Sequence, residues 1–119
     1  MNTRNNYIQH DPPHPGAILS ALYFEPLNLT VTEASEKLLI SRPNLSAIIN
    51  GKAGISAQMA LKLAKAFDTT PQYWLNLQIN YDLWISSQRD TDALKSVPIL
   101  VGRKPQQKKK SKPARSPIA

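Results

Sequence analysis

Pro43 stands two residues after Ser41 in the stretch SRPNLSAIINGK, residues 41–52, and that spacing admits few backbones. Proline has no N–H and its ring collides with the preceding turn. A helix therefore tolerates it only in the first turn, where the missing donor had no partner. A serine just upstream caps the same helix by accepting from its orphan N–H groups. Ser41 and Pro43 thus mark a helix start, and Gly51 after Asn50 marks its end. The same punctuation recurs along the chain. Pro15 opens a segment through GAILSALYF, which Pro26 is expected to stop. Thr30 and Glu33 have capping-box spacing ahead of VTEASEKLL. Ser56 precedes AQMALKLAKAF, Asp68 stands where glycine more often ends a helix, and Thr70–Pro71 open PQYWLNLQINYDLWISSQ. No alternating strand pattern of useful length intervenes, so the expectation is an all-α domain of five short, tightly connected helices.

Helical spacing assigns the inward faces. Val31, Ala34 and Leu38 share one stripe, Leu45, Ile48 and Ile49 a second, and Met59, Ala60, Leu63 and Phe67 a third. Trp74 and Leu77 read as core on the last helix. Tyr81 and Trp84, nearer its end, read as a dimer interface, where aromatic anchors are favoured.

Charge divides the chain. From Lys95 to Ala119 there are eight basic residues and no acids, whereas residues 1–94 hold seven basics and eight acids. The pI near 9.9 therefore belongs to the tail. Four prolines and the run QQKKKSK leave that tail little apolar surface, so disorder is expected beyond about residue 100. Such a tail binds nucleic acid through counterion release without sequence preference, or merely solubilises. The organisation read from this is an arm over 1–13, a domain over 14–94 and a basic tail over 95–119. Cysteine is absent, which removes disulfides and thiolate chemistry. No apolar run is long enough to span a bilayer and the first residues lack a secretory core, so a cytoplasmic protein with no membrane role is expected.

The outer face of the helix after Ser41 is unusual. At about 100° per residue, Pro43, Ser46, Ala47 and Asn50 lie opposite the apolar stripe, with Arg42 and Asn44 at the flanks. Surface helices usually carry long charged side chains there. Two helices of about eight residues joined near Leu39–Ser41 have the form of a helix-turn-helix unit. Its second helix enters a DNA major groove only if its outer side chains permit close approach. Arg and Asn make paired hydrogen bonds to guanine and adenine edges, Ser bonds to either sort of base, and Ala packs on the thymine methyl.

The pieces HPGAIL, SRPNLSAIINGK, GISAQMALKLAKAFDTTPQYWLNLQ and YDLW, within residues 14–84, carry a resemblance. Together they resemble the HigA-type antitoxins, in the Cro/C1-type (XRE, lambda repressor-like) helix-turn-helix superfamily. The resemblance implies a homodimeric repressor that binds double-stranded operator DNA at its own promoter. It also implies a HigB-type, RelE-like, mRNA-cleaving toxin as partner, neutralised by direct contact. By position, Arg42, Asn44, Ser46, Ala47 and Asn50 would face the bases. Ser41 and Lys52, with the helix start at Thr30–Thr32, would meet phosphates. Two positions depart from the family pattern: Leu39 replaces a frequent glycine in the interhelical turn, and Ser35 a usual alanine. Both are tolerable if Ser35 stays small and Leu39 finds apolar cover. Ala47 often corresponds to a longer polar residue, which implies weaker base readout there.

Other constellations point elsewhere only weakly. His10 and His14 in HDPPHP share no helical face and have no evident third ligand, so no metal and no cofactor is expected. There is no glycine-rich phosphate loop and no nucleophile–base signature, so an enzyme is not expected. Two other readings stay open: a stand-alone regulator without a toxin, and an interaction module that no longer binds DNA.

Overall fold

The computed structural model describes residues 8–102. The basic tail's expected disorder falls mostly beyond residue 102, outside the described residues. Helix α1 is built of three consecutive stretches, α-helical Pro15–Leu19, π-helical Ser20–Phe24 and α-helical Glu25–Leu27. Then follow α2 (Val31–Leu38), α3 (Arg42–Ile49), α4 (Ala57–Phe67) and α5 (Pro71–Arg89). These form one unit ending at Arg89; a short helix α6 (Thr91–Ser96) lies in a second unit that starts at Asp90. The described residues contain no strand.

Pro26 does not stop the first helix. The chain widens by one residue per turn over Ser20–Phe24, and the Glu25 N–H bonds to the Ser20 carbonyl five residues back. A wider turn moves aside the carbonyl that a proline ring would otherwise strike, so helical geometry continues to Leu27. The helix ends instead at Asn28, whose φ of 58° is left-handed. There the Leu29 N–H reaches the Phe24 carbonyl at 2.9 Å.

The start of α1 explains why His14, Pro15 and Gly16 occur together. His14 is the N-cap: its Nδ1 accepts from the Gly16 N–H at 2.9 Å. Pro15 is buried in the first turn. At Gly16 a Cβ would lie 1.8 Å from the Ile48 carbonyl oxygen, so glycine alone permits α1 to touch the end of α3.

The remaining helix starts follow the cap residues. Thr30 and Glu33 form the full capping box, with the Glu33 N–H at 3.0 Å from Thr30 Oγ1 and the Thr30 N–H at 3.0 Å from Glu33 Oε1. Those bonds from Thr30 hold the Glu33 carboxyl below its usual range. Ser41, Ser56 and Thr70 accept from Asn44, Met59 and Tyr73 N–H groups at 3.2, 3.1 and 3.1 Å. Helix α3 ends in a Schellman motif, with Gly51 N–H on the Ile48 carbonyl, Lys52 N–H on the Ala47 carbonyl, and Gly51 at φ 77°.

The same left-handed device ends α2 at Leu39 and α4 at Asp68, neither of them glycine. Leu39 is 79% exposed, so it lacks apolar cover. Its position is fixed by the backbone instead: the Ile40 N–H bonds to the Ser35 carbonyl, and the Leu39 carbonyl accepts from Lys62 Nζ at 2.7 Å. Ser35 is buried but satisfied, donating to the Thr32 carbonyl at 2.8 Å.

The core forms where the stripes meet. Leu19, Leu45, Leu63 and Trp74 are fully buried, joined by Phe24, Ala34, Leu38, Ile48, Ile55, Met59 and Ala60. Trp74 keeps its indole N–H satisfied on Thr69 Oγ1 at 2.7 Å. Helix α5 packs on α4 and α1, and α3 is held by α2 and α1.

Candidate nucleic-acid interface

Helix α3 turns Leu45 and Ile48 inward and leaves Arg42, Pro43, Asn44 and Asn50 exposed. Ser46 and Ala47 are half-buried at the margin of that outer face, with Ile49 half-buried beside the core. Of the row projected from the helical period, Pro43 and Asn50 and the flanking Arg42 and Asn44 are exposed, while Ser46 and Ala47 are only partly so. Small residues at the centre and longer ones at the ends make a surface that a concave groove wall can approach closely.

Two hydrogen bonds that spacing did not reveal organise this face. Arg42 Nε donates to Thr32 Oγ1 across the turn at 2.8 Å. That bond takes one edge of the guanidinium and leaves both Nη groups for a ligand. Asn50 Nδ2 donates to Ser46 Oγ at 3.3 Å, linking two other candidates one turn apart. The expected phosphate contacts are less uniform. Ser41 Oγ caps α3, and Lys52 is exposed on the loop after it. Thr30 has its N–H and hydroxyl both engaged by Glu33, a carboxylate at the very place where an anion was expected. Thr32 serves Arg42 with its lone pairs and keeps its hydroxyl proton to donate.

On α5, Tyr81 and Trp84 are half-buried and already contacted. His14 lies edge-on to Tyr81 with ring centroids 4.8 Å apart, and His10 edge-on to Trp84 at 4.6 Å. The Asn80 amide donates to Gln9 at 3.1 Å. The residues before α1 thus lie along the end of α5. The two histidines serve as a helix cap and as ring partners. Among the described residues no group of three or more histidine, cysteine or acidic side chains is placed to hold a metal. No described helix is long and apolar enough to cross a membrane.

Sequence reasoning missed Gln78. Its Oε1 accepts from the Ile55 N–H at 2.7 Å and its Nε2 donates to Asp82 at 2.9 Å, tying the loop after α3 to α5. Its partner Ile55 is 23 residues away, so nothing local in the sequence marked the contact.

Known proteins share this arrangement. Residues 22–74 match the family described as Helix-turn-helix. The Escherichia coli (strain K12) HTH-type transcriptional regulator YbaQ is 38% identical over 104 residues, spanning 83% of this chain and 92% of that protein. Antitoxin HigA-1 of Vibrio cholerae serotype O1 is 35% identical over 86 residues, spanning 72% and 81%. Among solved structures, Pseudomonas aeruginosa antitoxin HigA with higBA promoter superposes with a TM-score of 0.72 at 31% identity, over 76% of this chain and 99% of that one. The chain belongs to the Cro/C1-type helix-turn-helix family, in the branch that includes the HigA antitoxins, a family of regulators and antitoxins and not of enzymes.

Proposed function

We propose that the chain is a homodimeric, sequence-specific repressor that binds operator DNA at its own promoter and neutralises a HigB-type, RelE-like toxin in the cytoplasm. The observation that carries the DNA part is the outward row of α3, with Arg42, Asn44 and Asn50 exposed and Arg42 braced by Thr32. In this reading Arg42, Asn44, Ser46, Ala47 and Asn50 meet base edges in the major groove, and Ser41, Thr32 and Lys52 meet phosphates. Thr30 joins them only where Glu33 swings aside. Two copies joined through the α5 ends near Tyr81 and Trp84 present their α3 helices to half-sites about 34 Å apart, or a multiple of that. The basic tail adds sequence-independent attraction. Support for operator binding comes from the P. aeruginosa HigA relative, solved with its promoter; support for the toxin comes from the antitoxin names of the relatives.

The kinship with YbaQ, a transcriptional regulator by name, favours one second reading, a regulator without a toxin. Two experiments test these readings, and the second separates them. Fluorescence anisotropy with the chain's own upstream duplex and a scrambled duplex tests operator binding, which is abandoned if the two titrations coincide. Co-expression with the adjacent reading frame tests the toxin, which is abandoned if that frame is harmless alone.

A further inference from the structure

We infer that Gln78, on α5, is the positioning residue for the phosphate contact at Lys52; the inference rests on the DNA-binding reading above. Helix α3 runs directly into the loop Gly51–Ile55, and Lys52 projects from it exposed. That loop is gripped from two sides. On one side lies the His14 ring, which a Cβ on Gly51 would meet at 3.8 Å. On the other, Gln78 Oε1 accepts from the Ile55 N–H at 2.7 Å.

The Gln78 amide lies flat on the loop. A Cβ at Gly54 would meet Gln78 Cδ, Oε1 and Nε2 at 3.1 Å, so the backbone approaches as closely as glycine allows. The orientation of the amide is dictated chemically, since the Ile55 N–H only donates and the Asp82 carboxylate only accepts. Nε2 accordingly donates to Asp82 at 2.9 Å, one turn along α5. Within α3 the same loop is tied back by Lys52 and Ala53 N–H groups on the Ala47 carbonyl, at 2.8 and 3.2 Å. Lys52 therefore stands at a place set jointly by the end of the reading helix and by Gln78. Without Gln78 the Ile55 N–H loses its partner, and the loop no longer holds Lys52 where it meets a phosphate.

The test is anisotropy of the full chain on its own upstream duplex across a salt series. Gln78→Ala should weaken binding by about tenfold and flatten the plot of log affinity against log salt by about 0.9 per subunit, the share of one phosphate contact. Lys52→Ala should do the same, and adding Gln78→Ala to Lys52→Ala should change the slope no further. The exchange Gln78→Glu/Asp82→Asn keeps an acceptor for Ile55 and reverses the second bond, so it should restore the slope. An unchanged slope in Gln78→Ala, additive effects with Lys52→Ala, or failure of the exchange variant overturns the inference while leaving operator binding intact. A wild-type chain that binds neither duplex overturns both.

Discussion

Arg42 Nε rests 2.8 Å from Thr32 Oγ1, so the first residue of the reading helix is held by a hydroxyl on the helix before it. An arginine fixed at one edge surrenders less side-chain entropy when its other edge meets a base pair. Thr32→Val keeps the shape and removes the acceptor. It should weaken operator binding by about 0.5–1.5 kcal/mol and broaden the bases accepted opposite Arg42, with a smaller loss on random-sequence DNA from the phosphate contact of the same hydroxyl. Selection from a randomised duplex library, compared with wild type, reads both quantities.

Leu39 holds a φ of 57° while 79% exposed, a conformation that costs an L-residue without any compensating burial. Leu39→Gly should stabilise the fold by about 0.5–1 kcal/mol, the relieved strain less glycine's greater unfolded-state entropy. Urea denaturation measures it. Leu39→Ala keeps a Cβ in the same backbone and should gain nothing.

Gly16 sits where a Cβ would overlap the Ile48 carbonyl oxygen at 1.8 Å, and that oxygen is backbone. Gly16→Ala must move α1 off α3 and should cost about 3 kcal/mol or more. The melting temperature would report the loss. A variant as stable as wild type would show that the two helices do not meet as described.

His14 caps α1 through an unprotonated Nδ1, and its pKa is lowered, first by burial, against the opposing pull of Asp82 and the Ala53 backbone bond. Because the folded value lies below the unfolded one, near 6.5, the unfolded chain binds more protons as pH falls. The contribution is whole above that pH and is lost as pH drops through the folded value. Stability should therefore fall as the pH drops below about 6.5, and His14→Asn, which keeps a cap acceptor without titrating, should flatten that fall. Equal slopes in the two proteins would remove His14 as the cause.

The helix starts were legible because each is a local matter. Thr30, Ser41, Ser56 and Thr70 cap within three residues of themselves, and their spacing carries the information. The outward row from Arg42 to Asn50 was legible for the same reason, since the helical period places it. The ends were harder. The end at Asp68 was read from its place, but Leu39 adopts a backbone that its side chain opposes, with its carbonyl held by Lys62. Pro26 was misread because a π turn makes room for it, and nothing in the residues around it announces that turn. His14 and Gln78 act on residues brought near only by folding, such as Ala53 and Ile55, and sequence separation hid them.

The claim on which the account depends is that α3 reads base pairs with the row beginning at Arg42. The most direct measurement is the affinity of Arg42→Ala for the chain's own upstream duplex, for that duplex changed one base pair at a time, and for scrambled DNA. The account predicts a loss of about 1–3 kcal/mol on the native duplex, lost preference at a single base pair, and nearly unchanged binding to scrambled DNA. An equal loss on every duplex, with all base preferences retained, would contradict it.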